Sequence, residues 1–171
     1  VFISSIKVNG ESTLPSSPFT ADDTPAPEDA YGLSKAEAEA QLKQVAMETG
    51  MEVTIIRPPL IYGLGVKGNF ASLVSWLRRG LPLPLGGLIQ NRRSLVGLDN
   101  LVDLILVCAD HPEAANQTFL VSDGEDLSTT ELLRRIGKAM KQPARLLWVP
   151  EGAIYFIAGL VGKKVISQRL L

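Results

Sequence analysis

Cysteine and histidine are almost absent from this sequence. Its 171 residues hold one cysteine, Cys108, and one histidine, His111. A single thiol excludes an internal disulfide framework and fits a reducing compartment. One cysteine with one histidine also leaves no set of soft ligands for a zinc site. Cys108 lies in an apolar helical run, where a buried thiol is expected rather than a nucleophile. Charge of one sign is missing as well. The formal net charge is -1, so no overall field draws the chain to nucleic acid or to an anionic membrane. No apolar run is long enough to span a bilayer; the most apolar stretch, residues 151–163, suits a packing helix or an oligomer contact. The opening Val1-Phe-Ile-Ser-Ser-Ile6 has no charged leader and no cleavage-site pattern and reads as a buried strand. A natural protein seldom starts inside a core strand, so a piece of a longer protein, without its N-terminal portion, is expected.

What is present is ordinary for a globular domain: 46% hydrophobic and 20% charged residues, in a chain long enough for a real core. Residues 1–8 read as an apolar strand that ends near Ser5. Residues 9–30, rich in Pro, Ser, Thr, Asp and Glu, read as a long loop of the kind that is usually functional or mobile. Good helix formers fill 31–49, and Gly50 ends them. Residues 52–57 form a β-branched strand running into Pro58-Pro59. Strand, loop, helix, strand predicts a parallel sheet with a right-handed crossover. A glycine-rich loop over 60–68, a helix over 69–79 and an extended, proline-rich 81–85 follow. A strand at 94–98, a helix over 100–110 capped by Asp99, and a strand at 117–121 come next. Ser128-Thr-Thr-Glu131 reads as a capping box for a helix reaching Lys141, and 145–149 as a short strand. Trp76 and Trp148 carry no chemistry and are expected in the core.

Tyr31-Gly-Leu-Ser-Lys35 carries the chemistry. Tyrosine and lysine four residues apart share one helical face. A free phenol, with a pKa of about 10, is a poor base at neutral pH, and a neighbouring ammonium favours its ionised form. A serine hydroxyl from a neighbouring strand, Ser4 or Ser5, can position a substrate oxygen. Together these groups form a proton-transfer device for alcohol–ketone chemistry. Gly63-Leu-Gly65-Val-Lys-Gly68 spells a dinucleotide-binding loop, but no Asp or Glu stands about twenty residues on, and Pro58-Pro59 spoils a tight strand-to-helix turn. It reads as a flexible loop leading into a helix.

With these residues in place the chain resembles the extended short-chain dehydrogenase/reductase family, in particular its nucleotide-sugar epimerases and dehydratases. Phe2-Ile-Ser-Ser-Ile-Lys-Val-Asn-Gly10 resembles the family's serine strand, with Asn9 where a tyrosine is usual. Tyr31-Gly-Leu-Ser-Lys35 resembles its catalytic helix, and Arg57-Pro-Pro-Leu-Ile-Tyr-Gly63 the strand end beside the nicotinamide. Asn69-Phe70, Leu83 to Leu85, and Arg93-Ser-Leu-Val with Asp99-Asn100 resemble elements that hold the nucleoside diphosphate. The resemblance implies an α/β fold: the C-terminal part of a Rossmann-type parallel sheet (residues 1–62 and 101–122), with its glycine-rich half missing, plus a smaller nucleotide-sugar-binding region (63–100 and 123–171).

The same resemblance implies the site. Tyr31 would be the base, Lys35 would hold the nicotinamide ribose, and Ser5 rather than Ser4 would bond the substrate oxygen. Pro58 would shape the nicotinamide pocket, though a structural proline accounts for it equally. Asn69 and Arg93 would bind the nucleotide and diphosphate, with Arg92 the competitor of Arg93 and a plain helix cap a competing account of Asn69. Arg169 resembles a late phosphate-binding arginine. The implied activity is NAD-dependent C4 epimerisation of a UDP-sugar, with NADP possible, in a cytoplasmic homodimer serving bacterial surface-polysaccharide synthesis. A 4-keto reductase making a deoxy amino sugar nucleotide and a non-catalytic binding module are the alternatives. Dehydration is less favoured, because Ile6-Lys7 stand where dehydratases carry acids. Residues 1–171 alone are expected to be inactive.

Overall fold

A computed structural model describes residues 1–14, 17–66, 69–150 and 152–153. The chain divides into two compact units, residues Val1–Gly63 with Leu95–Asp123, and Leu64–Ser94 with the described residues from Gly124 on. The architecture is α/β, as expected.

The first unit is built on three parallel strands in the order β1 (Phe2–Ile3), β2 (Ile55–Arg57), β5 (Thr118–Leu120). Helix α1 (Ala30–Thr49) makes the crossover from β1 to β2. Asp29 caps it by accepting from the Gly32 N–H at 2.6 Å, and Gly50 ends it in the left-handed region at φ 75°. The first strand is shorter than the sequence suggests. After Ile3 the chain turns into a 3-10 segment, Ile6–Val8, whose N-cap is Ser5.

Residues 60–62 correct the sequence reading. Expected as part of a glycine-rich loop, Leu60–Tyr62 forms a strand, β3, paired in parallel with β4 (Leu95–Gly97). Helix α3 (Leu98–Asp110) follows directly. Its start also differs from expectation: Gly97 occupies the N-cap, and Asp99 lies within the first turn. Ile56, Val96, Leu101, Cys108 and Ala114 form the buried core, with Ile3, Ile61 and Phe119 packed around it. Burial pushes the Cys108 thiol up.

In the second unit, α2 (Asn69–Arg78) packs on α4 (Thr129–Ala139). Ser128 caps α4 through the Glu131 N–H at 3.1 Å. The Glu131 carboxylate turns to Arg135. The chain at 83–86 runs beside 145–147, with only the Leu83–Leu146 bridge in place of the strand expected over 145–149. Thr130 hydrogen-bonds to the Leu85 carbonyl at 2.7 Å beneath Leu88 and Leu133, both essentially inaccessible. Trp76 and Trp148 are exposed, not in the core. Most of the apolar stretch over 151–163 lies outside the described residues. Among the described residues no helix is long and apolar enough to cross a membrane.

Ile56 is wholly buried at the centre of the first core. Truncating such a side chain removes transfer energy and leaves a cavity. Ile56→Ala is expected to lower unfolding free energy by about 2–5 kcal/mol, measured by urea denaturation with an unchanged slope.

Candidate active site

In an open parallel α/β sheet, ligands bind beyond the carboxyl ends of the strands. Ser5 and Pro58 stand just past those ends of β1 and β2, and Tyr31 stands in the first turn of the helix that returns from β1. Topology alone therefore gathers Ser5, Tyr31, Lys35 and Pro58 at one end of the first unit.

Close packing ties these segments together. The Ile6 N–H donates to the Pro58 carbonyl at 3.0 Å, which joins the serine turn to the end of β2. The start of α1 presses onto the same turn. A Cβ added to Gly32 would stand 2.8 Å from the Lys7 carbonyl oxygen, so only glycine fits there. That is the physical reason for the glycine after Tyr31. A charge cluster reinforces the contact: Lys7 Nζ pairs with Asp29 Oδ2 at 2.7 Å and with Glu11 Oε1 at 2.5 Å. Lys7 has its pKa raised: burial alone would lower it, and the hydrogen bonds to Asp29 and Glu11 outweigh that. Asp29 is held below the usual carboxylate range by its bond to Lys7 and by the Gly32 N–H it caps.

Tyr31 and Lys35 share a helical face, with the ammonium 5.9 Å from the centre of the tyrosine ring. Lys35 Nζ also donates to the Ile3 carbonyl at 3.0 Å and lies 4.9 Å from the centre of the Phe2 ring, which anchors the stripe to β1. The Tyr31 side chain is about half exposed, at 53%. Ser5 is buried, and its hydroxyl accepts from the Lys7 N–H at 3.3 Å while, among the described residues, its own proton has no acceptor. Ser4 is also buried, and among the described residues its Oγ has no hydrogen-bond partner.

The remaining expected residues lie in the second unit or beyond description. Asn69 opens α2. Arg93 forms a backbone bridge with Leu127, and the competing Arg92 turns its guanidinium to the Ile89 and Asn91 carbonyls. Arg169 lies outside the described residues. The glycine run after β3 leads from the first unit into α2 of the second, whereas a dinucleotide loop joins a strand and helix of one βαβ unit.

Two groups escaped the sequence reading. Glu39, one turn below Lys35, is buried in a bidentate pair with Arg57 (Nε–Oε1 3.0 Å, Nη2–Oε2 2.6 Å), and Arg57 Nη1 donates to Asn9 Oδ1 at 2.9 Å. The spacing 31, 35, 39 and the lone arginine ending an apolar strand were the available signals. Asp123 is the other. Its carboxylate accepts from Tyr62 Oη at 2.7 Å, Asn100 Nδ2 at 2.8 Å and the Gly97 N–H, and these bonds, that of Asn100 foremost, lower its pKa. Asp123 thereby fastens the ends of β3 and β4 to the end of β5.

The sign of the pH effect follows from these lowered carboxylates. Asp29 stabilises the fold fully above its ordinary value of 3.8, and that contribution is lost as pH falls through its lowered folded value. Lys7 acts oppositely: its contribution is present below its ordinary 10.5 and is lost as pH rises through its raised value. Asp29→Asn is expected to flatten the fall of Tm below about pH 4; thermal melts between acid and neutral pH check this.

Residues 1–122 match the profile of the NAD dependent epimerase/dehydratase family. A UDP-glucose 4-epimerase of Vibrio cholerae is 55% identical over 170 residues, covering 99% of this chain and 52% of its own length. The chain thus spans about half the length of that relative. Two solved structures share the fold. They are UDP-glucose 4-epimerase of Thermotoga maritima with UDP-glucose (TM-score 0.71, 22% identity, 87% of this chain and 49% of that one) and RMD of Pseudomonas aeruginosa complexed with NADPH (TM-score 0.73, 23% identity, 87% and 52%). Profile, relative and fold agree with one another, and the chain belongs to the NAD dependent epimerase/dehydratase family.

Proposed function

We propose that the protein to which this chain belongs is an NAD-dependent C4 epimerase of a UDP-sugar. The observation that carries the reading is the placement of Tyr31 and Lys35 on one stripe, anchored to β1 and packed through Gly32 against the serine turn. The 55% identity to the Vibrio cholerae UDP-glucose 4-epimerase supports it. The first unit is the C-terminal part of the cofactor domain and the second the nucleotide-sugar region, with Asn69, Arg93 and Arg169 as its phosphate and nucleotide ligands. By family resemblance the enzyme is a cytoplasmic homodimer in surface-polysaccharide synthesis.

The residues present fit a nicotinamide cofactor. Lys35 uses one of its three N–H donors on Ile3, leaving two for ribose hydroxyls. Ser4 adds a buried hydroxyl without a partner among the described residues. Pro58 offers a buried ring wall with no N–H. Bound NAD supplies an acceptor for the hydride leaving C4 and a donor for its return. Ser5 donates its hydroxyl proton to the C4 oxygen and orients it. Tyr31 takes the C4 hydroxyl proton as the C–H bond breaks, and the carbon becomes a ketone. After the keto-sugar turns over, Tyr31 would return the proton to the same oxygen. Lys35 holds a positive charge beside the tyrosine ring, which favours the phenolate that accepts this proton.

General-base catalysis of this kind contributes about 10²–10⁴-fold. In the full-length protein, Tyr31→Phe is expected to lower kcat for UDP-sugar epimerisation by at least about 100-fold, with folding and nucleotide binding retained. Epimerisation assays with NAD test this; net consumption of NADPH by a 4-keto-sugar instead would identify the reductase, and binding without turnover the non-catalytic module.

A further inference from the structure

The proton device described above accounts for Ser5, Tyr31 and Lys35 but not for a charged pair sealed in the core beneath them. Arg57 and Glu39 are 2% and 3% exposed. Burying two ions is costly, and replacing such a pair by apolar residues is often neutral or stabilising. Stability alone is therefore a weak reason for the pair to be there, and its connections suggest a better one.

The connections run in two directions. Glu39 lies four residues after Lys35 and eight after Tyr31, on the same helical stripe. Arg57 closes β2, directly before Pro58. Its third nitrogen reaches Asn9, which is the C-cap of the 3-10 segment whose N-cap is Ser5. Asn9 in turn donates to the Thr20 carbonyl at 2.7 Å, and Thr20 bonds to Asp23, so the loop leading to Tyr31 is held as well. A continuous buried polar path joins the two ends of the device. It leads from the serine turn through Asn9, Arg57 and Glu39 to the helical stripe of Lys35 and Tyr31. Three of the guanidinium's five N–H-bearing directions are fixed in one plane, and this geometry resists both sliding and rotation of α1 against β2.

We propose that Asn9, Arg57 and Glu39 are positioning residues for the reaction. They set the placement of the Tyr31–Lys35 stripe against the Ser5 hydroxyl. The proposal rests on the functional reading above. Asn9, which departs from the tyrosine usual at this position, is part of the device, since its amide both accepts from Arg57 and donates to the loop.

The test uses the full-length protein. In the double variant Glu39→Leu with Arg57→Met, an apolar pair replaces the ions and leaves no charge alone. Its Tm is expected within about 5 °C of wild type, with kcat lower by on the order of 100-fold, the loss a misplacement of about 1 Å produces, and KM little changed. A double variant with wild-type kcat overturns the proposal, because a purely structural pair would have been replaced without loss. Should the double variant not fold, Asn9 decides. Asn9→Leu is expected to lose about tenfold in kcat with KM little changed; a kcat equal to that of wild type overturns the proposal. A folded wild type that shows no turnover of UDP-sugars with NAD would sink the functional reading instead. Crystal structures of wild type and Asn9→Leu then still read the device: an increased Ser5 Oγ to Tyr31 Oη separation supports positioning, and an unchanged one overturns it.

Discussion

The buried pair of Arg57 and Glu39 is the constraint on which the first unit depends. A guanidinium and a carboxylate taken from water must meet in good geometry or not at all, and here two parallel bonds leave little freedom. Helix α1 has few apolar residues to bury; its inner face presents Gly32, Lys35, Glu39 and small or half-buried neighbours. Polar bonds therefore do for α1 what an apolar stripe does for most surface helices. They fix which way it faces, and thus where Tyr31 and Lys35 point.

Around that constraint the other contacts act in concert. Gly32 lets α1 start against the Lys7 carbonyl, and Lys7 answers with an ion pair to the residue that caps the helix. Lys35 reaches back to Ile3, and Ile6 to Pro58. Each bond is modest alone, but all join segments that follow the carboxyl ends of β1 and β2. On the other side of the sheet a conventional apolar core, centred on Ile56, Val96 and Leu101, holds α3. Asp123 gathers the ends of β3, β4 and β5 into one hydrogen-bonded knot.

Much of this was legible before any coordinates. Helix α1, its stop at Gly50, strand β2, the cap at Ser128 and the α/β rhythm all follow from composition and punctuation, which act over a few residues. Misreadings fell where distant partners decide. Leu60–Tyr62 is too short and too close to glycines to announce a strand; it is one because β4 lies beside it. Asp99 looks like a helix cap, yet pairing of Leu95–Gly97 brings the helix start forward to Leu98. Trp148 has no local signal for its exposure, since the segment that carries it is held by backbone bonds from Leu147 to the distant Leu83 and Gly86.

The sequence by itself determined that Tyr31 and Lys35 share a face, because helical spacing is a local property. It determined the parallel α/β class, because helical and strand periods alternate along the chain. By offering almost no thiol or imidazole, it also left little room for thiolate or imidazole chemistry. Only the tertiary structure decided that Glu39 would be buried rather than solvated, that Arg57 would turn inward to meet it, and that Asn9 would join the serine turn to both. Those pairings span up to 48 residues of sequence. No local rule reaches so far, because each charge is stable inside only when its partner arrives there too.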